Sequence, residues 1–115
     1  MNNNLVSEIA ELGLNEVDLL ALVTNTSYEV EFYASVDGKR MQSNAMAEDE
    51  LVDSGNLLAF YERVAITIRA DARFDSNALN VVKVNRDGEV SMTKTARNAH
   101  VYAIQKEWRK QVLNH

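Results

Sequence analysis

The distribution of apolar residues predicts an α+β chain. The expected order is α-β-β-β-α-β-β-α, with helices packed on an antiparallel sheet. Three observations carry this. Tyr28 to Val36 alternates apolar and polar residues with period two and runs into Asp37-Gly38, a hairpin turn. A second pair of strand-like runs, Ala78 to Val84 and Glu89 to Thr95, flanks Asn85-Arg86-Asp87-Gly88. Apolar residues at helical spacing occupy the start, the middle and the end of the chain. At 115 residues the chain fits one domain, residues 1–115.

The elements follow in order. Asn3 or Asn4 is placed to cap a first helix, in which Leu5, Ile9 and Leu12 share a face and which Gly13 stops. Val17 to Thr24 is almost continuously apolar, which suits a strand buried on both sides, with a helix as the competing reading. In Tyr28 to Val36, the residues Tyr28, Val30, Phe32, Ala34 and Val36 point one way. Glu29, Glu31, Tyr33 and Ser35 point the other, as in a half-solvated strand. Lys39 to Met46 is expected to return beside it. Glu48 to Gly55 reads as an acidic loop, with Ser54 or Asn56 as cap of the middle helix. Leu57, Phe60, Tyr61, Val64 and Ile68 form that helix's stripe. Leu58 and Ala65 widen it, and Ile66 lies outside it. Arg69 to Asn77 is a polar connection before the second hairpin. The last helix runs from about Asn98 to Leu113, with Val101, Ile104, Trp108 and Val112 inward.

Composition narrows the function classes. With no cysteine there is no disulfide, thiolate metal site or cysteine nucleophile. His100 and His115 have no acid or nucleophile at a recognisable spacing, and both read as surface residues. Gly38 and Gly88 belong to hairpins, not to a phosphate-binding loop. Glu48-Asp49-Glu50 with Asp53 lacks the alternation and central glycine of a calcium loop, so a solvated acidic loop is the better reading. No catalytic residue, cofactor or metal is expected, and binding is the expected activity. The longest strongly apolar run, Leu19 to Val23, is too short for a bilayer, and Met1-Asn2-Asn3-Asn4 has no signal-peptide character. A cytoplasmic protein is expected, without membrane or nucleic-acid partners.

The formal charge of −5 conceals a split. Residues 1–62 hold twelve acids and two bases, whereas residues 63–115 hold five acids and ten bases. Either these are solvated faces that differ in sign, or an acidic face meets a basic partner.

Four stretches carry a resemblance. They are Leu5 to Leu14 with its Leu12-Gly13-Leu14 exit, Tyr28 to Gly38, Leu57 to Asp75 followed by Asn77 to Val82, and Val101 to Leu113 with Trp108-Arg109. Together they resemble the class I chaperones of type III secretion systems, the CesT-like family. That family commonly has prolines before its middle helix, and this chain has none. The resemblance implies a cytoplasmic bacterial homodimer that binds the non-globular N-terminal segment of a secreted effector and keeps it competent for secretion. It maps client binding to Leu5, Val6, Ile9 and Tyr33, and the dimer interface to Leu57, Leu58, Tyr61, Ala65 and Ile66. Two points stay open. Leu57, Tyr61 and Val64 are equally readable as monomer core, and Tyr33 as an isolated exposed aromatic. The competing family is the YezG-like immunity proteins, in which the acidic loop Glu48 to Asp53 would bind a basic nuclease toxin.

Overall fold

A computed structural model describes residues 2–114, with side chains from residue 4 onward. Its elements are α1 (Asn2–Ala10), β1 (Asn15–Val23), β2 (Tyr28–Val36), β3 (Lys39–Gln42), α2 (Ser43–Glu48), α3 (Ser54–Arg69), β4 (Ala78–Val84), β5 (Val90–Ala96) and α4 (Val101–Leu113). The strands form one antiparallel sheet in the order β3-β2-β1-β4-β5. The α+β class is therefore observed, with one short helix, α2, added to the expected order.

Both faces of the sheet are covered. On one face Leu19, Ala21, Val23, Phe32, Ala34, Val82 and Val84 pack against Leu5 and Ile9 of α1, Met46 of α2, and Leu57, Phe60, Val64 and Ile68 of α3. Phe32 meets Phe60 edge-on at 5.9 Å between ring centroids. On the other face Leu20, Leu22, Tyr33, Leu79 and Val81 lie under Trp108 and Val112 of α4. β1 is central and sandwiched, which explains its unbroken apolar run.

Several boundaries differ from expectation, each for a local reason. The return strand ends at Gln42 rather than Met46. Gln42 accepts a hydrogen bond from the Asn44 backbone and caps α2, which buries Met46. The departure of the chain leaves the Phe32 N–H without a strand partner, and the buried Ser43 hydroxyl accepts it at 3.4 Å. Asp53, not Ser54 or Asn56, caps α3, its carboxylate accepting from the Asn56 N–H at 3.0 Å. α1 already begins at Asn2, so Asn4 lies inside the helix rather than at its cap. The Asn3 side chain is outside the described residues. α4 starts at Val101 instead of Asn98, because a turn closed by Ala99 N–H to Ala96 O precedes it.

The largest correction concerns β2, which is not half-solvated. Its polar face lies beneath α4, where Glu31 is 5% exposed and Tyr33 8% exposed. A carboxylate tolerates that burial only when paired. Here Arg109 Nε and Nη2 donate to the two Glu31 oxygens at 2.8 and 3.1 Å. Tyr33 stacks near Trp108 at 5.7 Å.

Candidate functional site

The middle helix α3 is the first candidate surface. Of the five positions expected at a dimer interface, Leu57 and Ala65 are buried in the chain's own core, and Tyr61 is half-buried against Phe32. Burial pushes the Tyr61 phenol above its ordinary pKa. The other two point outward, Leu58 at 65% exposure and Ile66 at 56%. Eight residues separate them, about 12 Å along the helix and about 80° around it. Exposed Gly55, Ala59 and Glu62 share this face. The result is a ridge with two large apolar ends and small residues toward one of them.

The second candidate is the far edge of the sheet. β5 pairs only with β4, so its outer backbone side has no strand partner among the described residues. Its side chains there are Ser91, Thr93, Lys94 and Thr95, all exposed. Polar and lysine-bearing edges remain soluble while keeping free main-chain donors and acceptors. Elsewhere, α1, β1 and the β4–β5 hairpin enclose a cleft of about 170 Å³ whose apolar lining is Val6, Ile9, Leu14, Val17 and Val84, with Gly88 at the hairpin. Gly88 has φ +80°, and a Cβ there would lie 4.0 Å from Val6 Cγ1, so the glycine opens the hairpin side of the cleft.

The client positions expected from the sequence divide accordingly. Val6 keeps partial exposure and lines the cleft. Leu5 is fully buried, and Ile9 is almost so. Tyr33 is not on an open face at all, and desolvation raises its phenol pKa. Sequence periodicity identified the inward face of α1 but had no means of separating core from groove along it.

Two polar centres were not anticipated. Buried Asp18 follows a bulge in β1, where the register with β2 slips between Asn15 and Asp18 and Glu16 takes φ +52°. Its carboxylate binds the Arg40 guanidinium and, at 3.2 Å, that of Arg86, while the Arg86 N–H donates to it at 3.1 Å. Burial lowers the Arg40 pKa, and the Asp18 charge opposes that shift. This centre ties β1 to β3 and to the second hairpin. The other centre is Asn80, which donates to Val23 O at 3.1 Å and Asp75 O at 2.8 Å and accepts from the Asp75 N–H at 2.9 Å. Both centres fasten loops to the sheet. The sequence shows only that acids dominate the first half and bases the second, not which of them meet.

The described residues contain no group of three or more His, Asp or Glu arranged to hold a metal ion, and none of their helices is long and apolar enough to cross a membrane. Compared with family models, with curated proteins and with solved structures, the chain matches none.

Proposed function

We propose that this chain is a homodimeric chaperone of the type III secretion class, acting in a bacterial cytoplasm. It would bind the non-globular N-terminal segment of a secreted effector. The observation that supports the reading is the open β5 edge, on the same chain as an apolar cleft at α1 and the β4–β5 hairpin. An extended segment can add main-chain hydrogen bonds to such an edge while alternate side chains enter the cleft past Val6. Ordering a disordered segment costs free energy, so a large contact area is needed, and a dimer doubles the area on offer. The outward Leu58 and Ile66 of α3 supply an apolar ridge for that second copy.

The test uses the first part of a secreted protein encoded beside this chain, mixed with the purified protein. Light scattering should give a dimer alone and a dimer with bound segment in the mixture. Amide hydrogen exchange should slow at β5 and around Val6. A monomer that binds only a folded, basic toxin through residues 48–53 would replace this reading with the immunity-protein one.

A further inference from the structure

A third apolar surface adjoins the α1 cleft at Leu14 and is otherwise separate from the sites above. The exit of α1 and the segment before α3 form a groove of about 400 Å³ lined by Leu12, Leu14, Leu51 and Val52, with Glu11, Asp53, Asn56 and Arg63 around them. Leu51 is 52% exposed, a large side chain at the mouth of the groove. Its backbone is fixed. α2 ends with Leu51 N–H bonded to Met46 O and Glu50 N–H to Ala47 O, and Glu50 takes the left-handed φ of +58° that closes this kind of helix end.

The acids outnumber the bases around it. Glu11 and Asp53 line the groove, and Glu48, Asp49 and Glu50 directly precede Leu51 in the chain; all five are exposed, and no ion pair reaches any of them among the described residues. The lining base, Arg63, is engaged by Glu8 at 2.9 Å. The partial positive charge at the start of α3 is met by its own cap, Asp53. An apolar floor within an acidic rim selects an apolar side chain carried between cations. We propose that this groove docks a partner-protein segment in which one large aliphatic side chain is flanked by lysine or arginine. The groove shares Leu14 with the α1 cleft and nothing with the β5 edge or the outward α3 ridge, so Leu12, Leu51 and Val52 distinguish its ligand from a client in the cleft.

The probe is a capped nonapeptide with one leucine between two pairs of lysines, the remainder glycine and serine. One control replaces the lysines by glutamates, and the other replaces the leucine by glycine. Methyl NMR of the full chain is the readout. The lysine–leucine peptide should shift the Leu12, Leu14, Leu51 and Val52 methyls saturably, with a Kd on the order of a millimolar for so short a ligand. Both controls should bind at least about tenfold more weakly, and Leu51→Ser, at a half-exposed position, should cost about tenfold. Asp49→Lys, which leaves the leucine floor intact, should also weaken binding. Equal shifts with all three peptides, shifts confined to Val6, Ile9, Val17 and Val84 of the α1 cleft, or no saturable shift would each overturn the proposal. Native circular dichroism of Leu51→Ser makes its result interpretable.

Discussion

At the scale of single residues, the polar positions carry the information that periodicity could not. Glu50 occupies a left-handed backbone conformation with a side chain that forms no ion pair among the described residues. Glycine adopts that conformation freely, whereas other L-residues pay for contact between Cβ and the following carbonyl. Glycine also gives the unfolded chain more freedom, which offsets part of the gain. Glu50→Gly is therefore expected to stabilise the protein by about 0.5–1 kcal/mol. A thermal melt checks it, and a lowered Tm would contradict it. Asn80 is the opposite case, a buried side chain whose main-chain bonds to Asp75, Ala78 and Val23 tie the loop of residues 70–77 to β1. Asn80→Ala leaves buried backbone groups without partners, and urea unfolding should show a loss of about 1–3 kcal/mol. In sequence, this asparagine inside an apolar strand run gave no sign of its loop partners, which are set by the tertiary path.

At the scale of elements, β2 and β4 have the expected bounds because their neighbours in sequence are strong turn signals. Asp37 and Gly38, at φ +52° and +80°, make the first hairpin. Gly88, also at +80°, closes the second. The short helix α2 was unreadable because it is six residues long, too short for a helical period, and depends on a cap from Gln42. The burial of the polar face of β2 is not legible in its sequence, because alternation shows that two faces differ, not that one is wet. The polar face was spent on an ion pair and an aromatic stack under α4. On α3, by contrast, the off-stripe position of Ile66 did mark it as outward-facing. That makes Ile66→Asp a clean probe of the proposed dimer. The site is exposed in the single chain, so the fold should persist by circular dichroism. In a two-fold interface the carboxylate enters twice, and dimer affinity should fall at least about 100-fold by light scattering. An unchanged dimer would remove Ile66 from the interface.

At the scale of the whole molecule, the charge split serves the fold in part. Among the described residues four ion pairs join acids of the first half to three bases of the second: Glu8 with Arg63, Glu16 and Asp18 with Arg86, and Glu31 with Arg109. The last is the least exposed on its acidic side, and its hydrogen bond to Glu31 holds Arg109 above its ordinary pKa. Among the first-half acids that this pairing leaves over, Glu48, Asp49, Glu50 and Asp53 lie in one stretch. The molecule thus presents two surfaces that respond differently to salt. The β5 edge and the α1 cleft offer main-chain groups and apolar side chains, whose contacts are screened little. The acidic groove depends on exposed charges, which are screened within about 8 Å at physiological ionic strength. Raising sodium chloride tenfold should therefore weaken binding of a client segment by less than about threefold, while a lysine-flanked ligand of the groove should lose about tenfold or more. Isothermal titration across that range checks both. A client segment that dissociates at moderate salt would place its binding on the acidic groove instead, and with it the main contact surface of this protein.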